Sequence, residues 1–265
     1  LELEPLQEAA DGAATHLLDH IRSTTHHLKE QIEQSFSARL DHVLKQMQWP
    51  KNAHEGIPES LHGQFSGAVS DLLKLQQPDL EAHERLNDGS RSIHPLVLLP
   101  LKTLIQPLEL GFRYHFEGNN VMNRVDRPEF YLKHVAERIL AKYADFMEIY
   151  IQPILSQQFR ETDLSLNYVY IDATSAFITA LLPMVRTKTL AILPQVLKKP
   201  SLLSHLIHEL IKFDTELRDD WQYDGSSRTE AWFGLAGEIL ATEDTFTQWL
   251  KAEKDCSYIV SIMNH

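Results

Sequence analysis

Apolar residues recur at steps of three, four or seven through the first fifty positions: Leu17, Ile21, Leu28, Ile32, Phe36, Leu40, Val43 and Met47. Such spacing marks one face of a helix. No Pro or Gly interrupts residues 13–48, so one long helix is predicted there. The stripe fits either a coiled-coil seam or the first helix of a bundle. Trp49-Pro50 ends it, because the residue before proline is pushed out of the α region. A loop over residues 50–60 leads to a short helix predicted over residues 61–75. Residues 78–91 are polar and carry Asp88-Gly89-Ser90, a turn signal. The domain boundary is placed there, with a first bundle in residues 1–90 and a second in residues 91–265.

Residues 93–110 (IHPLVLLPLKTLIQPLEL) are apolar all round, which predicts burial. Pro95, Pro100 and Pro107 are expected to start or kink this helix. Phe112, Tyr114 and Phe116 follow, read as alternating on an extended segment or sharing a turn, with residues 117–120 (EGNN) as a stop. Asp126 reads as an N-cap, with Pro128 and Glu129 in the first turn of a helix over residues 129–158. Pro153 should bend that helix late. Further helices are predicted from Asp163 onward, punctuated by Pro183 and Pro194, then from Pro200 to about Arg218. The last two cover residues 230–240 and 243–262, with Thr242 as the N-cap of the second. Tyr168 to Ile171 has β propensity but lies within a helical pattern, the stronger signal. The fold class is therefore all-α.

Composition narrows the function classes. The 265 residues carry a net charge of -12 with no basic run, against the footprint of a nucleic-acid binder or a polybasic membrane anchor. Protein partners are the default expectation. One cysteine, Cys256, excludes an internal disulfide and a cysteine-rich zinc site, and suits the cytosol. The most apolar run, residues 173–185, is too short to span a bilayer and contains Pro183, so no transmembrane segment is expected. The chain opens with an acidic stretch lacking an initiator Met and an apolar leader core, and is expected to be an internal piece of a longer protein.

Candidate chemistry is thin. His16 and His20 share a helix face, but a metal needs further ligands, so solvated surface is the simpler reading. His205, His208 and Glu209 lack the spacing of a zinc protease. A di-iron bundle needs two Glu-x-x-His turns, and only Glu59 to His62 fits. No phosphate-binding glycine loop or nucleophile elbow is present. Cys256 reads as an inert filler, and Glu216, Asp219 and Asp220 as a solvated helix end. No catalytic residue, metal ligand or cofactor is predicted.

One stretch is distinctive: GFRYHFEGNN from Gly111, then NRVDRPEF from Asn123. It resembles the signature of the RINT/TIP family, approximately F-x-Y-H-F-x-G followed by T-N-R-x-D-K-P-E-W. Phe112, Tyr114, His115, Phe116, Gly118, Asn123, Arg124, Asp126, Pro128 and Glu129 match. Met122, Arg127 and Phe130 depart from it mildly. Phe246, Trp249, Leu250 and Glu253 are similar to the family's F-x-x-W-L-x-x-E segment, and residues 205–217 to its acidic-apolar helix.

The resemblance implies an elongated stack of helical bundles, as in exocyst-like tethers. It implies a non-enzymatic subunit of a Dsl-type tethering complex in Golgi-to-ER retrograde transport. Its expected partners are ER SNARE proteins and other tether subunits, its location cytoplasmic and peripheral at the ER membrane. The family's animal members also suggest a scaffold role in cell-cycle or DNA-damage signalling; a metal-dependent helical enzyme is the alternative of another class. From the residues themselves, the signature reads as a conformational lock between two helices, with a direct partner site as the competing reading. Arg124 or Arg127 should pair with nearby acids, and His115 should hydrogen-bond to fix the chain reversal.

Overall fold

The computed structural model describes residues 15–86, 94–225 and 232–263, and among them every regular element is helical. Helix α1 is Thr15–Gln46, close to the predicted span. Its apolar stripe divides in two. Leu40, Val43, Leu44 and Met47 are buried, while Leu28 and Ile32 stay exposed. Helix α2, Glu59–Leu86, returns alongside it, fastened by Lys29 to Asp79 at 2.6 Å and Arg39 to Asp71 at 3.0 Å. Trp49 secures the lower end. Its ring packs on Tyr143 and Phe146, with centroids 5.1 and 4.6 Å away, and its indole donates to the Leu104 carbonyl at 2.9 Å.

Helix α2 does not stop near Leu75 as expected but runs through Pro78 to Leu86. A proline forfeits one backbone bond, to the residue four earlier. Here that residue is Lys74, on the exposed side, where water can satisfy the carbonyl. The buried side continues through Gln76 and Leu80. The turn at Asp88-Gly89-Ser90 lies outside the described residues.

Helix α3, Leu99–Phe116, starts with Pro100 in its first turn and carries Pro107 inside. Its start is held by Gln76, which donates to the Val97 carbonyl at 2.9 Å and accepts from the Leu99 amide at 2.7 Å. Residues 129–159 form one helical stretch, α4, with π-helical segments at His134–Leu140 and Met147–Ile151. The second segment widens the turn just before Pro153, where a regular α-helix would press the ring on the carbonyl four residues back.

A 3-10 turn, Asp163–Leu166, leads to one helical turn, α5, Tyr168–Ile171. Asn167 caps α5 through the Val169 amide, and Asp172 caps helix α6, Ala173–Val196, through the Ser175 amide at 2.7 Å. The 24 residues of α6 correct the sequence estimate: the helix passes through both prolines and is long and apolar enough to cross a membrane. Most of that surface is buried inside the fold, where α6 packs against α3, α4 and α5 as the central core helix. Helices α7 (Pro200–Asp219), α8 (Gly234–Leu240) and α9 (Glu243–Met263) complete the bundle.

Candidate functional site

The signature occupies the end of α3, the loop that follows and the first turn of α4. Leu108, Phe112 and Phe116 succeed one another at one-turn spacing on the buried face of α3. The Phe112 and Phe116 rings lie 4.9 Å apart, and both meet Tyr131 of α4 edge-on at 6.5 and 6.4 Å. The aromatic trio is therefore helical and does not alternate on an extended segment. Tyr114 points away from this cluster and is 74% exposed.

Beyond Phe116 the chain must reverse while satisfying the last carbonyls of α3, which lack partners within the helix. Gly118 adopts φ +61, a conformation costly for residues with a Cβ. Asn120 donates to the Tyr114 carbonyl at 3.0 Å and accepts from the Met122 amide at 3.0 Å. Asn123 donates to the Gly118 carbonyl at 2.7 Å. Its side-chain Oδ1 accepts at 2.5 Å from Lys188 of α6, whose ammonium also donates to the Phe116 carbonyl at 2.6 Å. Lys188 is 9% exposed, and burial lowers its pKa.

Asp126 does not cap the next helix. Its carboxylate is held by Arg124 at 3.1 and 2.5 Å, which lowers the Asp126 pKa, and Pro128 takes the N-cap position with no side-chain bond. A two-residue separation suits the Arg fork to its own loop, leaving the carboxylate unavailable to the helix amides. Burial raises the pKa of Glu129, but its own amide, Arg127 at 3.2 Å and His205 of α7 at 3.1 Å outweigh it and bring the pKa down. The Tyr131 and Thr189 hydroxyls meet at 2.9 Å in the core.

His115 corrects another expectation. No hydrogen bond to its ring occurs among the described residues. It packs 5.6 Å from the His134 ring and 5.2 Å from Tyr114. Burial lowers the His134 pKa, and the neighbouring His115 and Arg138 add to this. Asn120 and Asn123, with Lys188, perform the fixing expected of His115.

The second segment lies on α9. Glu253 accepts from Ser204 of α7 at 2.6 Å and lies 3.8 Å from His208. Trp249 is half-buried against the core and meets Phe246 in a tilted pair at 5.9 Å, whereas Phe246 and Leu250 face outward. Helix α7 thus meets the first segment through His205 and the second through Ser204 and His208. Asp214, which the sequence reading passed over, sits on the apolar face of α7 and is 2% exposed. It accepts from the Leu235 and Ala236 amides, both at 2.9 Å, and so caps α8 from another helix. Burial pushes its pKa up to about 6 despite those donors. Gly234 takes φ +75 beside it, where a Cβ would strike the carboxylate. Asp219 and Asp220 are exposed, as a solvated helix end should be.

The described residues contain no group of three or more His, Cys, Asp or Glu side chains able to hold a metal ion. His16 and His20 are exposed, and the Cys256 side chain lies outside the described residues. What the geometry does build is a loop tied to α3 by Asn120 and to α6 through Asn123 and Lys188, with His205 of α7 holding Glu129 in the first turn of α4.

Fold and site together define an all-α helical bundle organised around a locked helix–loop–helix reversal. The chain belongs to the RINT-1/TIP-1 family, whose model matches residues 99–261, a span containing both segments. It is similar to the RINT1-like protein of Drosophila melanogaster, with 21% identity over 224 residues. That alignment covers 82% of this chain and 28% of the relative, so the chain spans under a third of the relative's length. No solved structure matches it.

Proposed function

We propose that this chain is a non-enzymatic helical part of a vesicle-tethering subunit acting in Golgi-to-ER retrograde transport. In this reading it binds ER SNARE proteins and other subunits of a Dsl-type complex, and associates with the ER membrane peripherally through them. Family membership over residues 99–261 is the observation that carries the reading. The geometry supports it in a second way: Asn123 and Glu129 of the signature are engaged with Lys188 of α6 and His205 of α7, so the signature braces helices and leaves exposed helix faces as the means of contact. A tether must hold a distance and bear load, and helix-on-helix packing does both without a cofactor.

The test is affinity capture from cytosolic extract with the folded protein as bait, read by mass spectrometry. Recovery of ER SNAREs or Dsl-type subunits is the expected result. A folded bait that captures repair or cell-cycle proteins instead would replace this reading with the scaffold one.

A further inference from the structure

The end of α3 meets α4 through a side chain that the lock does not use. His134 opens the first π segment, and three rings of α3 gather on it: Phe112 at 6.3 Å, His115 at 5.6 Å and Phe116 at 5.2 Å between centroids. Both imidazoles are half-buried, and neither has a hydrogen-bond or ion-pair partner among the described residues. A neutral imidazole tolerates such a site, whereas an imidazolium there has lost water and gained no acceptor. The surrounding charges do not supply one. On α3, Glu109 lies further back and Arg113 is held by Glu117. On α4, Lys133, Glu137 and Arg138 flank the ring in sequence. The charged residues of α6 are Arg186, paired with Glu238, and Lys188, bound to the Phe116 and Asn123 oxygens. Helix α7 offers His205, bound to Glu129, and Glu216, which feels Lys133 and Glu137. Burial lowers the His134 pKa, and of all these groups His115 and Arg138 add to the effect, with no carboxylate opposing them.

We propose that the His115–His134 pair is a proton-sensitive joint: in mild acid it parts the last turn of α3 from α4 and slackens the signature loop between them. Parting the two helices hydrates both rings and separates two like charges, so the open arrangement binds a proton more tightly than the closed one. Opening therefore grows easier as pH falls through the usual histidine range, and stops growing easier once the closed arrangement is protonated too. The α1–α2 hairpin holds no part of this joint. Its fastenings, Lys29 to Asp79 and Arg39 to Asp71, keep their charges in mild acid. The device does not depend on the tethering reading and would stand in a chain of any function.

Backbone amide hydrogen exchange reads the opening, compared at about pH 7.5 and about pH 5.5 with intrinsic rates divided out. Protection in the last turn of α3 and the first turns of α4 should fall at least about threefold more than in the α1–α2 hairpin. His134→Phe keeps a ring but cannot titrate, and should abolish that extra loss. Proton NMR of the histidine rings gives a second reading. The His134 signal should titrate below the usual histidine range in the parent protein and at higher pH in His115→Phe, a change that a merely structural contact would not produce. Equal loss of protection in the two regions, an undiminished extra loss in His134→Phe, or a parent His134 signal that titrates at or above the usual range overturns the proposal. The first and last of these are read on the unaltered protein, so they decide the matter even if a variant fails to fold.

Discussion

Replacing Lys188 with Met is the sharpest test of the lock, since it keeps the stem that crosses the core and removes only the ammonium. The parent side chain donates to the Phe116 carbonyl at 2.6 Å and to Asn123 at 2.5 Å. Phe116 is the last residue of α3, so its carbonyl has no partner within the helix. A buried acceptor left unsatisfied costs about 1–3 kcal/mol, and the lost bond to half-buried Asn123 adds about 0.5–1.5 kcal/mol. Methionine offsets part of this by ending the desolvation that lowers the lysine pKa. The net expectation is a loss of about 2 kcal/mol. In a chain of 265 residues that lowers the melting temperature by about 4–8 °C. Urea unfolding at pH 7 reads the free energy, and a double-mutant cycle with Asn123→Ala isolates the pair, with a coupling of at least 0.5 kcal/mol expected. A loss below about 0.5 kcal/mol for Lys188→Met, or additive variants, would refute the reasoning.

Three further outcomes follow from the same geometry. Asp214 holds its proton in the folded state up to about pH 6, against an ordinary 3.8. The native state therefore binds more protons than the unfolded state between those values, and its contribution to stability falls as pH rises through that window, by up to about 3 kcal/mol. Urea titrations from pH 4 to 7 should show Asp214→Asn with a visibly flatter profile, and identical slopes would contradict this assignment. Gly234→Ala should destabilise by at least about 2 kcal/mol, since it meets both a positive φ and the Asp214 carboxylate, whereas Gly118→Ala, with positive φ but open space, should cost about 1 kcal/mol; paired thermal melts decide whether the order holds. Tyr131→Phe removes the hydroxyl facing Thr189 and should cost about 1 kcal/mol by chemical denaturation, with no change in helical content.

The helices were legible wherever local chemistry decided them. Pro200 at the head of α7 and the three-and-four spacing behind it gave that helix nearly to the residue. Prolines misled where burial on the far side outweighed one missing bond, as at Pro78. The signature was legible as a chain reversal, yet its working parts were not. Asp126 looked like a cap because a carboxylate just ahead of a Pro and Glu that open a helix usually is one, and sequence cannot show that Arg124 takes it. The partners that hold the loop, Lys188, Thr189 and His205, lie 58 to 76 residues away from the groups they bond. A weak trace of them exists. Lys188 is one of two cations, with Arg186, amid the apolar residues of α6, and Asp214 interrupts the apolar face of α7, each a buried polar group awaiting its partner.

The two π segments of α4 have a mechanical consequence. Each wide turn carries one more residue than an α turn, so the buried face swings round the axis twice along residues 129–159. The first turn of α4 consequently braces α7, while its last segment lies on α2. A regular helix of this length would keep one aspect toward one neighbour. The twisted one works like a splint with an offset grip at each end, so tension applied at the α1–α2 hairpin reaches α7 along a single backbone, and unseating either end requires that backbone to unwind.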